Sequence, residues 1–142
     1  MAKFSYERKV HYYETDQMGI VHHSNYIRWM EEARIAALAH IGLPYDRMEK
    51  EGILVPVLTA GCEYRLPFRF GDSFVVSLQP KAFNGIKLVI SYEITHKETG
   101  ALHAQGETSH CFTDKEIKLL HLKKLYPDVY TSLMEWNEEI ND

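Results

Sequence analysis

The sequence predicts an α+β chain, on three observations. One long amphipathic helix falls early, soon after His22. The stretches that follow it alternate apolar and polar residues with the period of strands. The dipeptide Asn84-Gly85, the strongest hairpin signal in the chain, joins two of those stretches so that they run antiparallel.

Taken in order, residues 3–13 alternate loosely, with Phe4, Tyr6, Arg8, Val10 and Tyr12 on one side and Lys3, Ser5, Glu7, Lys9 and His11 on the other. They read as a first strand that delivers Tyr12 and Tyr13 to a polar turn. In the helix, Tyr26, Met30, Ala33, Ala37 and Ile41 recur at steps of four, three, four and four, which is one helical face. Ser24 or Asn25 is placed to cap it, and Gly42 with Pro44 ends it. Glu31 and Arg34, three residues apart, are a candidate surface ion pair. Residues 43–52 form a charged connection with room for a helical turn at 45–51. Residues 53–70 are strand-like, but Pro56 and Pro67 each remove a ladder donor, so bends or an edge position are expected there. Gly71-Asp72 turns the chain. Phe74, Val76 and Leu78 then alternate with Val75, Ser77 and Gln79. After the hairpin, Ile86, Leu88, Ile90, Tyr92 and Ile94 alternate with Lys87, Val89, Ser91, Glu93 and Thr95, a half-buried antiparallel strand. A turn at Glu98-Thr99-Gly100 leads to the last strand, 101–113. Val129, Leu133, Trp136 and Ile140, behind Pro127, make a second, shorter helical face at about 127–140.

A chain of 142 residues suits one domain, 1–142, and no repeat or linker divides it. A net charge of -4 argues against a general nucleic-acid binder. The lysines at 115, 118, 123 and 124 read as a solvated face. No run approaches the ~18 apolar residues of a membrane span, and the first residues lack an apolar signal core. Cys62 and Cys111 have no metal or redox spacing, so reduced thiols in a cytoplasmic protein are expected.

The functional signal is concentrated in residues 12–42. Tyr12-x-x-x-Asp16-x-x-Gly19-x-Val21-x-His23-x-x-Tyr26, followed by Glu31-x-Ala33-Arg34, places a carboxylate turn directly before a helix N-terminus, where backbone N–H groups and the helix dipole favour negative charge. This pattern resembles the opening motif of the 4-hydroxybenzoyl-CoA thioesterase-like family of hotdog-fold acyl-CoA thioesterases. It is nearest the bacterial acyl-CoA thioester hydrolase branch with Tyr, Asp and His in this spacing. Beyond Gly42 the likeness persists in strand order and in Tyr64-x-x-Pro67 before Gly71-Asp72. The resemblance implies a hotdog fold, a curved antiparallel sheet wrapped around one long central helix. It also implies that Tyr12 and His23 orient Asp16, water or the leaving thiol, and that residues 56–60, with Val57, Leu58 and Thr59, line the acyl and pantetheine tunnel. Gly19, Val21 and Tyr26 complete the candidate substrate-binding set.

Thioester hydrolysis needs an attacking group, donors for the oxyanion and a channel for the pantetheine arm. An ordinary aspartate is ionised at neutral pH, so Asp16 can attack the carbonyl directly or act as base for water. The backbone N–H of His23 or Ser24 can serve the oxyanion. Without its context, an acid before a glycine-containing turn is ordinary turn chemistry. Tyr12, Trp29 and Met30 are equally readable as core. His22 and His23 are adjacent, which suits one metal poorly. His103 and His110 fall on opposite faces of a strand, so no metal site is expected. No cofactor is required, coenzyme A being part of the substrate; Arg65, Arg69, Lys81 and Lys87 are candidate partners for its phosphates. The alternatives are a dehydratase or hydratase on the same fold, which needs His23 and Glu31 for proton transfer, and a non-catalytic acyl-CoA-binding protein. An open sheet edge predicts a homodimer or homotetramer, with sites between subunits.

Overall fold

The long helix α1 (Ser24–His40) packs on one face of a sheet of five antiparallel strands: β1 (Phe4–Lys9), β2 (Val57–Tyr64), β3 (Ser73–Phe83), β4 (Leu88–His96) and β5 (Leu102–His110). Their order is β1-β3-β4-β5-β2, so the first two strands in sequence are the two edges of the sheet. The computed structural model describes residues 3–141. This is the expected hotdog architecture, an α+β arrangement of sheet around helix. Three further helices, α2 (Tyr45–Lys50), α3 (Leu122–Leu125) and α4 (Pro127–Asn141), lie around it.

The helix sits where its sequence stripe dictates. Tyr26, Trp29, Met30, Ala33 and Ala37 are all buried, and they meet the alternate apolar residues Phe74, Val76 and Leu78 of β3 and Leu88, Ile90, Tyr92 and Ile94 of β4. Trp29 stacks on Phe74 with ring centroids 3.9 Å apart. The small residue Gly106 lets α1 approach β5, since a Cβ there would collide with the Met30 side chain and the Gly61 carbonyl oxygen. At the C-terminus the Gly42 N–H donates to the Ala39 carbonyl and the Leu43 N–H to the Leu38 carbonyl, the paired bonds of a Schellman stop. Beside the C-terminal end of α1, α4 packs against β3 and buries Val129, Leu133 and Trp136.

Local chemistry shifts three expectations. The first strand ends at Lys9, not at residue 13. The His11 N–H is taken by Glu14 Oε1 at 2.7 Å, which folds Tyr12–Glu14 into a single 3-10 turn and leaves Tyr12 and Tyr13 75% and 77% exposed. Neither Ser24 nor Asn25 caps α1 through its side chain. The Ser24 N–H goes to His22 Nδ1, and the Asn25 amide donates backwards to the carbonyls of Glu14 and His22. Arg34 does not reach for Glu31 but turns inward to the Tyr92 hydroxyl at 3.2 Å, and Glu32 instead takes an ion pair from Arg8.

Candidate active site

Residues 15–21 form a closed loop. Thr15 bridges Val21, the Asp16 N–H donates to the Ile20 carbonyl at 2.8 Å, and the Gly19 N–H returns to the Asp16 carbonyl at 3.0 Å. Gly19 turns the loop with φ +78°, a conformation that favours glycine. Asp16 Oδ1 accepts the Met18 N–H at 2.8 Å, an Asx turn, so the carboxylate does part of the turn chemistry. The half-buried Asp16 side chain nevertheless lines a cleft of about 330 Å³, together with Met18, Ile20 and Val21 from the loop and His23 and Tyr26 from the start of α1.

The helix start supplies the electrostatics. The Ser24 N–H is occupied by His22 Nδ1 at 3.2 Å, while the His23 N–H makes no hydrogen bond among the described residues. It is a backbone donor that the helix terminus leaves available. The His23 ring stacks on His22 at 4.3 Å and meets the edge of Tyr64 at 6.1 Å. Tyr26 forms the floor, wedged between Trp29 and Tyr64 with both ring centroids at 4.9 Å. Burial pushes its phenol up to about 12, so it stays a neutral hydroxyl at physiological pH.

The opposite wall comes from the end of β2 and the segment after it: Tyr64, Arg65, Leu66 and Pro67. The Tyr64 hydroxyl donates to the His23 carbonyl at 3.1 Å and ties this wall to the helix start. Arg65 pairs with Glu63 at 3.0 Å on the surface. Thus Asp16, Val21, His23 and Tyr26 of the sequence-predicted set come together, and Tyr64 and Leu66 join them without having been named as site residues.

The remaining candidates lie elsewhere. Tyr12 is outside the cleft, its ring edge-on to Phe70 at 5.5 Å. Gly19 is exposed on the outside of the loop. Val57, Leu58 and Thr59 are exposed at the far end of β2, about 17 Å from Tyr64 for Thr59 at ordinary strand rise. Asp72, part of the extended motif, accepts the Arg69 N–H at 2.8 Å and faces His96 at 3.4 Å, away from the cleft. A larger groove of about 550 Å³ between β1, α4 and the end of α1 contains Glu135 and Glu139. It lies by His40 and Ile41, the negative end of the helix dipole, where no oxyanion would be held.

An antiparallel sheet wrapped around one long helix is the architecture of hotdog-fold thioesterases. Over the whole chain the fold superposes on the DHNA-CoA thioesterase from Staphylococcus aureus with a TM-score of 0.89 at 29% identity, covering 97% of that chain. The chain belongs to the thioesterase-like superfamily, whose family model matches residues 10–139. It is 40% identical over 127 residues to YneP of Bacillus subtilis (strain 168), a protein named as a candidate acyl-CoA thioesterase; the match spans 89% of this chain and 91% of YneP. It is 31% identical over 109 residues to a 1,4-dihydroxy-2-naphthoyl-CoA hydrolase of Trichodesmium erythraeum (strain IMS101), spanning 75% of this chain and 79% of that enzyme.

Proposed function

We propose that the protein hydrolyses the thioester of an acyl- or aryl-CoA to the free acid and CoA at the Asp16 cleft. The observation that carries this reading is that Asp16 and His23, whose backbone N–H is unpartnered among the described residues, line one cleft. Asp16 attacks the thioester carbonyl to give a mixed anhydride that water then hydrolyses, or it takes a proton from water as the water attacks. In either case the carbonyl oxygen becomes an oxyanion, the His23 N–H receives it, and the C–S bond breaks to release CoA as thiolate. The His23 ring stands beside the leaving sulfur. Tyr26 and Tyr64 offer aromatic faces to the acyl group, in keeping with the aromatic acyl group in the name of the Trichodesmium relative. Arg65, at the cleft wall, is the cation nearest to hand for a CoA phosphate. The reaction needs no cofactor beyond the substrate's own coenzyme A, and the cytoplasm, with Cys62 and Cys111 as free thiols, is its compartment. Among the described residues, no helix is long and apolar enough to cross a membrane.

A second copy completes this reading. Antiparallel pairing of two β2 edges centred near Gly61 would set one copy's Leu58 opposite the other's Tyr64, and so bring Val57, Leu58 and Thr59 of each copy to the partner's cleft. The dehydratase alternative gains nothing from the geometry. Glu31 is exposed and stands about 12 Å along α1 from His23 at 1.5 Å per residue.

The test is a panel of aliphatic and aromatic acyl-CoA esters, followed by thiol release and by product analysis. Stoichiometric free thiol and acid is expected. Double-bond formation, or saturable binding with no turnover, would contradict the hydrolytic reading.

A further inference from the structure

Two residues before Asp16, at the end of the 3-10 turn, Glu14 is 3% exposed, a buried carboxylate with no part in bond making or breaking at the cleft. Every acceptor position on it is filled. Oε1 accepts the His11 N–H at 2.7 Å and Arg8 Nη1 at 3.0 Å; Oε2 accepts Arg8 Nη2 at 2.7 Å and Trp29 Nε1 at 2.8 Å. Arg8 is itself held by Glu32, which also accepts the Tyr6 hydroxyl at 2.8 Å. One carboxylate therefore ties the loop to β1 on one side and to α1 on the other.

Its main chain does a second job. The Glu14 carbonyl accepts the His22 N–H at 2.9 Å and Asn25 Nδ2 at 3.0 Å, which closes the base of the 15–21 loop against the residue before His23. The bonds of Asp16 itself, to Met18, Gly19 and Ile20, are all internal to that loop. They shape the loop but do not place it. Its placement relative to the His23 N–H falls to the Glu14 anchor, with the Val21 N–H to Phe68 carbonyl bond at 2.9 Å as a second tether and the Thr15 N–H and hydroxyl bonds to the Tyr12 carbonyl joining it to the 3-10 turn that Glu14 closes.

We infer that Glu14 is the positioning residue of this site: it holds the Asp16 loop at a fixed distance from the start of α1, so that carboxylate and oxyanion donor face the same carbonyl. The inference rests on the hydrolytic reading of the Asp16 cleft. Burial opposes charge on Glu14, but the bonds from Arg8, the His11 N–H and Trp29 outweigh it and hold the carboxyl down to about 2. Glu14 thus works as a permanent charge and does not titrate in the range where the enzyme would be assayed. A glutamine would keep its volume but turn an amide N–H₂ toward donors, leaving at least one of them unpaired.

The experiment measures kcat and KM for Glu14→Gln in the wild-type and Asp16→Asn backgrounds, with thermal unfolding to show that each variant folds. Misplacement of reacting groups by about 1 Å costs on the order of a hundredfold, so kcat should fall about that much in the wild-type background while KM moves less than about threefold. In the Asp16→Asn background Glu14→Gln should add no further loss, because the residue acts through Asp16. An unchanged kcat, or an equal loss in both backgrounds, would overturn the inference. Should Glu14→Gln not fold, Trp29→Phe removes one of the four donors and keeps an aromatic ring on Phe74; an unchanged kcat there would overturn it equally. If Asp16→Asn is fully inactive and Glu14→Gln is not impaired, only the positioning role fails. If Asp16→Asn keeps wild-type turnover, the hydrolytic reading itself fails, and the positioning role with it.

Discussion

His23 lines the cleft and carries two separable groups, a ring that packs on Tyr64 and an unpartnered backbone N–H that truncation of the side chain leaves in place. His23→Ala should therefore lower turnover by only about a hundredfold, the low end of what a positioned proton-transfer group contributes. Tyr12→Phe should change turnover less than about twofold, because Tyr12 is 75% exposed and outside the cleft. Turnover of both variants on one good substrate checks this; a larger loss in Tyr12→Phe would mean that another copy carries the Tyr12 hydroxyl to a site. The legible part of the site was the contiguous part. Asp16, Val21, His23 and Tyr26 sit within one short stretch, so local spacing already places them. Tyr64 and Leu66 reach the cleft only when the sheet closes. Glu14 reads in sequence as a polar turn residue, and its burial is decided by Arg8 and Trp29, which other elements contribute.

At the scale of elements, the two sheet edges are treated differently. β1 exposes Ser5, Glu7 and Lys9 on its outer face and carries the ion pair Lys97–Glu7, charge that discourages further pairing. β2 is exposed along nearly its whole length, including Val57 at 48% and Leu58 at 52%, and Pro56 and Pro67 lie outside it rather than within. Such an edge invites a second strand. Light scattering at micromolar concentration should give at least twice the chain mass of 16.6 kDa, and a Lys substitution at Leu58 should lower it; a wild-type monomer would contradict the pairing. Periodicity recovered α1, β3, β4 and α4 because each has one buried face. It overran β1 because alternation continues through His11 and Tyr12, while the chain is folded back by a side chain, Glu14, that no alternation pattern registers.

For the whole molecule, the interior beneath α1 sets a pH dependence. His110 is fully buried and bonds through Nε2 to Thr108, which bonds Tyr92, which accepts Arg34. Burial, with the Arg34 cation nearby, pushes the His110 imidazole down to about 4, and burial lowers His103 as well. The native state thus holds His110 neutral where the unfolded chain, near 6.5, takes up a proton. The stability from this group is fully present above about 6.5 and is lost as pH falls from there to about 4. Between pH 7.5 and 5 the loss is about 2 kcal/mol at 1.36 kcal/mol per pH unit. Glu14 has the carboxylate sign, lost from its ordinary value down to about 2, and so does not contribute in that window. Urea unfolding at the two pH values should show the drop in wild type and a reduced one in His110→Gln. Equal pH slopes in the two proteins would contradict the buried neutral imidazole.

If Asp16 does the chemistry, Asp16→Asn isolates its contribution. The amide keeps the size of the side chain and can still accept the Met18 N–H, but it is neither a competent nucleophile nor a base. Turnover and acyl-CoA affinity are measured side by side. Removing the key group of a site that acts as a unit costs on the order of a thousandfold or more in turnover, while affinity should stay within about tenfold. Near wild-type turnover in a folded Asp16→Asn enzyme would contradict the assignment and leave Asp16 as the residue that shapes its loop.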